Sequence, residues 1–426
     1  MTLKKIASSQ LVKSTGIYTI AKVINSSIPF LLLPVMTAYL TPSDYGVISM
    51  ITTVVAFITP FVCLNLDSAI VRRYYYKDGS ISEYIGTCIL MVAILCLIVT
   101  FLLVIFGSIL SDWVKFPTYV LWVIPVYCVF LLFKSIVLYN WQVKGEPIQF
   151  GLFSIISTIL EVSIALVLIV RLGFNWQGRA ISLLTAGFIM AIFSIIYLAR
   201  NKMIKLTYSK EYGKHARNYG LGLVPHALGA SLMVLSNRFF ITNMVSIDET
   251  GLYGVASSLS SVLSFVTLSF NNAYVPWLFE RLSKNDEKTN YQIVKVTYAY
   301  LLFIVILGIL AYLFILFVFP FFVNKSFSDA SKYIPWLLAG YVFQGGYFMM
   351  TNYIMYSEKT YYNGAVTILS GVLSLIFNYI LIKHYGAIGA AMAFTCTYVI
   401  YFILTWLVAN KVCRMPWLKS VMKWEK

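Results

Sequence analysis

Four ionisable side chains interrupt long apolar stretches of this chain: Lys22, Lys134, Glu161 and Arg238. A charge near the centre of a bilayer costs about 2.5–3.5 kcal/mol on insertion scales, and such a group normally faces a cavity or a partner. Three bases and one acid could bind an anion or exchange an ion with the solution on either side. These positions are therefore the first candidates for chemistry.

Glu161 is the embedded carboxylate. It lies about 20 Å into a predicted helix that begins near Ile148, which is beyond easy snorkelling reach. Ser154, Ser157 and Thr158 share its helical face and form a polar stripe. We interpret Glu161 as a proton or sodium site that couples transport to an ion gradient. The alternative is a protonated or hydrogen-bonded packing carboxyl.

The embedded bases are candidates for binding a phosphate. Lys22 shares a helical face with Asn25, and Pro29 follows, a pattern typical of a broken helix beside a cavity. We predict that Lys22 faces this cavity; the alternative is that it snorkels to the cytoplasmic interface. Lys134 and Arg238 lie about five residues from the ends of their predicted helices, so snorkelling is an equal alternative for both.

Three further residues complete the predicted site. His226 is a second candidate for ion coupling, although a lone membrane histidine is more often a packing residue. Asn271 ends a stripe of serine and threonine that could line a path for sugars or join helices. Arg72 adds positive charge at the cytoplasmic end of a helix. Arg171 and Arg179 are interpreted as interfacial anchors and left out of the site.

Membrane helices must position these side chains. Of the 426 residues, 60% are hydrophobic and 11% charged, and the mean hydropathy is +0.82, which excludes an ordinary soluble domain. A crossing takes about 20 apolar residues. The sequence predicts an all-α polytopic protein with twelve crossings: 15–40, 45–66, 85–108, 118–139, 148–170, 179–198, 218–243, 252–279, 294–320, 333–354, 362–382 and 387–410.

The short connectors leave no room for a folded catalytic domain, so we expect a protein that is not an enzyme. No Walker A motif occurs, and the three histidines and six cysteines show neither HExxH nor CxxC spacing. We therefore expect no cofactor and no metal centre, only H+ or Na+ as a coupling ion.

Charge fixes the predicted orientation. The net charge is +16, and the predicted crossings place 23 lysines and arginines on the face that holds both termini but six on the other. By the positive-inside rule, both termini and the connector 199–217 are cytoplasmic.

Two segments recur along the chain. The tripeptide DYG at 44–46 corresponds to ETG at 249–251, and LGFNWQGRAIS at 172–182 corresponds to YGAIGAAMA at 385–393. This order predicts a parallel repeat of two six-helix lobes, 1–205 and 206–426, and favours a transporter with a central path that opens alternately to each side.

Three stretches carry a family resemblance: TPSDYGVISM with NLDSAIVRRYY, then MVLSNRFFITNMVSIDETGLYGVASSLSS, and YSEKTYYNGAVTILSGVLSLIFNYILIKHYGAIGAAMA. They resemble the polysaccharide flippases of the multidrug/oligosaccharidyl-lipid/polysaccharide exporter superfamily. One departure is Asn237, since members often have an Asp before the arginine that corresponds to Arg238.

The resemblance implies a MATE-like fold in a bacterial cell (inner) membrane. It also implies export of a polyprenyl-diphosphate-linked oligosaccharide to the outer leaflet for O-antigen, lipopolysaccharide or capsule biosynthesis, with a polymerase and a chain-length protein as partners. Lys22, Arg72 and Arg238 would hold the diphosphate in sequence, and Asn25, Lys134 and Asn271 would complete substrate binding.

Two alternatives remain open. A small-molecule cation or drug antiporter of the same superfamily would need an acidic, aromatic cavity, whereas three of the four embedded charges here are basic. A non-transporting scaffold of a glycan-assembly complex would move no substrate at all.

Overall fold

The computed structural model describes residues 24–25, 28, 30–75, 79–284 and 286–417, with only the backbone at Thr360. Its longer elements are helical throughout: α1 (Leu33–Tyr39), α2 (Pro42–Cys63), α3 (Leu66–Arg73), α4 (Ile81–Val114), α5 (Thr118–Lys144), α6 (Pro147–Leu166), α7 (Trp176–Arg200), α8 (Lys210–Met244), α9 (Ile247–Ser260), α10 (Val262–Leu282), α11 (Glu287–Phe322), α12 (Ile334–Tyr356), α13 (Thr360–Tyr385) and α14 (Ile388–Val412). A π-helical turn, Val167–Arg171, continues α6, and a 3-10 helix, Lys325–Tyr333, precedes α12.

Ten helical segments within the described residues are long and apolar enough to cross a bilayer. They match ten of the twelve predicted crossings and confirm an all-α, multi-pass membrane protein. An eleventh predicted crossing, 333–354, coincides with helix α12. This helix is not among the ten that are long and apolar enough to cross a bilayer. The crossing predicted at 15–40 lies largely outside the described residues, so the count of twelve stays a prediction.

The two acidic residues paired in the predicted repeat occupy the same position in their helices. Thr41 precedes α2, and its hydroxyl oxygen accepts a hydrogen bond from the Asp44 amide at 3.2 Å. Ser246 precedes α9, and its hydroxyl oxygen accepts one from the Glu249 amide at 3.1 Å. Such a cap contributes about 1 kcal/mol to helix stability. Local sequence therefore fixes both helix starts.

The glycines paired in the predicted repeat also share a backbone conformation. Gly173 has φ +68° and Gly386 has φ +63°, a region that glycine enters without steric cost. Each lies in a tight connection between two long helices, where the chain reverses. Both local features agree with a repeat, and the repeat itself stays a prediction.

By their internal contacts, the described residues divide into a first unit that ends at Leu228 and a second that begins at Gly229. In the first, α5 packs against α4 and α7; in the second, α14 packs against α12 and α13. The division falls inside α8, whereas the predicted lobe boundary at 205/206 precedes that helix and stays a prediction.

The connector before α8 is ordered against α4 of the first unit. The Lys205 amide donates to the Ser82 carbonyl oxygen at 3.0 Å, and the Lys205 ammonium lies 2.7 Å from the Glu83 carboxylate. At Gly86 an added Cβ would come 1.9 Å from the Lys205 carbonyl oxygen. The close approach therefore requires glycine at this position, and the connector is part of the packed fold.

Candidate functional site

Helix α6 presents a polar face on which three of the predicted site residues meet. Ser157 is buried, and the Lys134 ammonium on α5 donates to its hydroxyl oxygen at 2.6 Å. The adjacent Thr158 hydroxyl donates to the Asn25 side-chain oxygen at 3.0 Å. One turn further along lies Glu161. The structure therefore brings Asn25 and Lys134 against the helix that carries Glu161.

Glu161 is paired with Arg179, which was predicted to be an interfacial anchor outside the site. The Arg179 guanidinium lies 2.6 Å from the Glu161 carboxylate, and the two side chains keep only 17% and 24% of their exposure. A hydrogen bond between two charged groups is roughly twice as strong as a neutral one. Arg179 therefore acts as a counter-ion to Glu161 and not as a free interfacial anchor.

The start of α7 fixes the position of Arg179. Trp176 is the first residue of that helix, and its amide donates to the Asp44 carboxylate at 3.4 Å. The other oxygen of Asp44 accepts from the Thr41 amide at 3.1 Å. One carboxylate thus ties the start of α7 to the start of α2, and Arg179 lies within the first turn beyond this contact.

We define the α6 polar cluster as Lys134, Ser157, Thr158, Glu161 and Arg179. Its two bases and one carboxylate give it an excess of one positive charge, and the Glu161 charge interacts with that of Lys134 as well. The helix that carries it spans 25 residues from Pro147 to Arg171, and Glu161 lies about 21 Å from its start. Glu161 therefore lies well inside a membrane-spanning segment, and the excess positive charge around it favours binding of an anion.

A π-helical turn follows the cluster on the same helix. Over Val167–Arg171 the hydrogen bonds are wider, and the Leu172 amide donates to the Val167 carbonyl oxygen at 3.1 Å. Turns of this kind inside α-helices are frequent at functional sites. Arg171 itself is exposed.

Three other predicted residues belong to the first unit by their position in the sequence: Lys22, Arg72 and His226. Lys22 is outside the described residues. Arg72 is exposed, and its guanidinium carbon lies 5.3 Å from the centre of the Tyr219 ring. His226 is half-buried on α8, directly after a proline inside that helix.

In the second unit, Asn271 and Arg238 have defined surroundings. The Asn271 side-chain oxygen accepts a hydrogen bond from the Asn352 amide group at 2.8 Å. Arg238 lies near Tyr253 and Tyr341, both of which are buried.

The residue before Arg238 departs from the family pattern. The Asn237 side-chain oxygen accepts from the Asn378 amide group at 2.9 Å, and both residues are buried. A neutral amide pair therefore occupies this point of the second unit.

Three contacts within the site were not predicted from the sequence. They are the contact of Arg179 with Glu161, that of Asn352 with Asn271, and that of Ser157 with Lys134. The sequence carries a signal for Arg179. This base lies just after a short connection from the helix that contains the embedded acid Glu161, so the two side chains can meet in a helical hairpin. For Asn352 the sequence carries no such signal. Across the residues that the structure describes, no three His, Cys, Asp or Glu side chains lie close enough to hold a metal ion.

Comparison with known proteins identifies the family. The family described as polysaccharide biosynthesis protein matches residues 11–282. The capsular polysaccharide biosynthesis protein CapF of Staphylococcus aureus is 23% identical over 401 residues, covering 90% of this chain and 96% of that protein. The lipid III flippase of Escherichia coli (strain K12) is 25% identical over 246 residues, covering 55% of this chain and 57% of that protein.

Among solved structures, the fold is similar to the inward-facing conformation of a multidrug resistance MATE family transporter of the MOP superfamily. The TM-score is 0.71 at 14% sequence identity, covering 91% of this chain and 94% of that one. This likeness confirms the MATE-like fold. The family match over residues 11–282 confirms the resemblance carried by the sequence motifs: the chain belongs to the family of polysaccharide biosynthesis proteins.

Proposed function

We propose that this protein moves an oligosaccharide linked to polyprenyl diphosphate from the cytoplasmic to the outer leaflet of a bacterial cell membrane, for O-antigen or capsule biosynthesis. The observation that carries the proposal is the excess positive charge of the α6 polar cluster inside a membrane-spanning segment. The names of two relatives, a lipid III flippase and a capsular polysaccharide biosynthesis protein, support the same substrate class.

A diphosphate matches the donors of this cluster. Lys134 has a neutral hydroxyl as its hydrogen-bond partner, and among the described residues its charge is compensated by the more distant Glu161. Phosphate oxygens would accept from the Lys134 ammonium and compete with Glu161 for the planar, two-pronged guanidinium of Arg179. Lys22, Arg72 and Arg238 would carry the diphosphate before or after this point.

The glycan needs different chemistry from the diphosphate. Sugars present neutral hydroxyl groups, which bind well to amides, hydroxyls and aromatic rings. Asn271 and its partner Asn352 are of this kind. We propose that they contact the sugar, while the polyprenyl chain stays in the lipid.

Ion coupling is the finer part of the proposal. Glu161 would be the group that exchanges H+ or Na+, with His226 next in line, since both are ionisable groups of membrane-spanning helices. Coupling requires that the ion bind the two access states with different affinity. A substrate that binds Arg179 would break its ion pair with Glu161 and so change the affinity of Glu161 for the ion.

The topology and partners complete the proposal. Both termini would lie in the cytoplasm, and the protein would act as a transporter and not as an enzyme. It would hand its product to a polymerase and a chain-length protein on the outer side of the membrane.

The test is flipping of a fluorescent polyprenyl-diphosphate oligosaccharide in proteoliposomes. We expect Lys134→Gln to slow flipping at least tenfold, since a hydrogen bond to a charged group contributes about 1.5–3 kcal/mol. Lys115→Gln, at an exposed lysine, is the matched control and should retain the wild-type rate. A wild-type rate in Lys134→Gln at equal protein content would contradict the assignment of this cluster.

The same assay separates the alternatives. A scaffold without transport would show no flipping in the wild-type protein. A cation antiporter would move a cationic dye and leave the lipid-linked oligosaccharide in its leaflet.

A further inference from the structure

An apolar cavity of about 400 Å³ lies between α11 and α12 of the second unit. Its floor includes Gly308 and Leu338, which are buried, and its mouth includes Ile309 and Pro335, which are exposed. The lining is carbon throughout apart from the Tyr312 hydroxyl and backbone atoms. Such a cavity offers nothing to a sugar or a phosphate.

A small side chain opens this space. Ala339 has a single methyl group, so the facing helices leave a gap at its level. A Cβ at Gly308 would come 2.7 Å from a methyl carbon of Val342, which means that the helices touch there and close the gap on one side. The cavity is therefore a groove with a closed floor and one open side.

The groove opens toward lipid. Helix α11 is one of the segments able to span a bilayer, and Leu313 and Phe317 on it are 56% and 73% exposed. Large apolar side chains exposed on a membrane helix contact the hydrocarbon of the bilayer. Ile309, at the mouth of the groove, is 57% exposed on the same helix. The medium outside the mouth is therefore hydrocarbon and not water.

The volume selects the kind of occupant. The stretch of α12 along the groove runs from Pro335 to Phe343, which is about 12 Å, and a helix of that length and about 10 Å diameter fills roughly 900 Å³. A transmembrane helix from a partner or a second copy is thus too large to enter the groove and could only insert single side chains into its mouth. A cavity of about 150 Å³ holds one benzene ring, so 400 Å³ holds on the order of fifteen carbon atoms. A single extended hydrocarbon chain fits this size.

We infer that the groove between α11 and α12 binds one acyl chain of a bilayer phospholipid. Acyl chains are the bulk component at the mouth, so they reach the groove at far higher concentration than any minor lipid. An empty groove would leave its lining atoms without contacts on one side, and a chain restores them. The bound lipid is then a structural component of the second unit, and the inference does not depend on the proposed substrate.

Photolabelling of the wild-type protein in proteoliposomes tests the inference. The probe is a diacyl phospholipid that carries a diazirine on one chain, and mass spectrometry locates the labelled residues. Leu338 is 3% exposed in the protein and should be labelled only from inside the groove, whereas Leu313 reports ordinary contact with lipid. We expect labelling at both positions.

Filling the groove supplies the matched comparison. Ala339→Phe should lower labelling of Leu338 at least fivefold and leave Leu313 unchanged. Leu313→Phe adds a ring on the lipid-facing surface and should leave Leu338 labelled. If Ala339→Phe does not fold, Ala339→Leu fills part of the same space.

Three outcomes would overturn the inference. Absence of label at Leu338 in the wild-type protein would mean that no acyl chain enters. Loss of that label on addition of a polyprenyl phosphate would assign the groove to an isoprenoid chain. Loss of the label as the protein-to-lipid ratio rises would assign the groove to contact between two copies of the chain.

Discussion

Replacing Arg179 by methionine should destabilise the first unit, because it leaves the Glu161 carboxylate inside a membrane-spanning segment without its partner. The charged groups lie 2.6 Å apart, and their side chains are 17% and 24% exposed. Deleting one partner of a buried ion pair costs about 3–5 kcal/mol. The remaining exposure lets solvent screen part of the lone charge, so we expect a loss of about 2–3 kcal/mol in the free energy of unfolding.

A double-mutant cycle isolates the pair. Glu161→Gln combined with Arg179→Met removes both charges, so the double variant should be more stable than the sum of the single losses predicts. We expect a coupling free energy of about 1–2 kcal/mol, within the range for residues in contact. Arg171→Met, at an exposed arginine of the same helical hairpin, is the control and should change stability by no more than about 0.5 kcal/mol.

The assay is equilibrium unfolding in mixed micelles, followed by circular dichroism as the fraction of denaturing detergent rises. The single and double variants are compared at the same total detergent. If the single losses add to within about 0.5 kcal/mol of the double loss, the two residues are not coupled. Our description of Arg179 as the counter-ion of Glu161 would then be wrong.

Four further expectations concern topology, substrate binding, coupling and pH. A cysteine at position 210, introduced as Lys210→Cys, should react with an impermeant thiol reagent only after cells are permeabilised; labelling of intact cells would reverse the proposed orientation. Lys22→Ala should lower glycan export while Lys22→Arg retains much of it, measured as surface glycan at matched expression; normal export with alanine would favour snorkelling. Glu161→Gln should bind substrate but lose accumulation driven by an imposed proton or sodium gradient in proteoliposomes; wild-type coupling would make the carboxylate structural. Hydrogen bonds from the side chain and amide of Thr289 lower the pKa of Asp286 at the start of α11. The stabilisation by this cap is therefore present above the unfolded pKa of about 3.9 and is lost as the pH falls through the folded pKa. The protection factor of the Thr289 amide, which removes the pH dependence of intrinsic exchange, should therefore fall on acidification in the wild-type protein and change less in Asp286→Asn.

The long helices could be predicted because their signal is local. Pro147 begins α6 within one residue of the predicted start, and Gly145 ends α5 with φ +70° just before it. Apolar runs of sufficient length have no alternative in a bilayer, since every backbone polar group must be satisfied internally. This boundary therefore follows from sequence, whereas α4 and α11 begin after the caps Ser80 and Asp286, four and seven residues before their predicted starts.

The helix predicted over 252–279 is not continuous in the structure. The structure divides it at Ser261, between α9 and α10. The Ser261 hydroxyl donates to the Ser258 carbonyl oxygen at 2.8 Å, and the Ser258 hydroxyl donates to that of Gly254 at 2.9 Å. Serine hydroxyls that bond back to the preceding turn bend helices. The polar stripe that ends at Asn271 is therefore not one straight line.

The partners within the site could not be predicted because they depend on how neighbouring helices rotate and slide. The snorkelling alternative for Lys134 rested on its distance from the end of the predicted helix. In the structure α5 extends to Lys144, which puts Lys134 about 15 Å from that end and opposite Ser157. Pairing of Glu161 with Arg179 likewise depends on a hairpin whose geometry the π-helical turn alters. The periodicity of a single helix predicts neither the contact of Lys134 with Ser157 nor the pairing of Glu161 with Arg179.

The surroundings of the two groups of polar residues suit the two parts of the proposed substrate. In the first unit the α6 polar cluster combines two bases with one acid, so its excess charge matches a phosphate in any lipid-linked sugar. In the second unit Asn271 and Asn352 meet as neutral amides, and Gln344 likewise donates to the Tyr398 hydroxyl at 2.8 Å. Neutral donors and acceptors distinguish one pattern of hydroxyl groups from another, whereas a charge attracts every diphosphate alike. Selectivity for the glycan is therefore expected to depend on the amides of the second unit, and affinity common to all such lipids on the charges of the first.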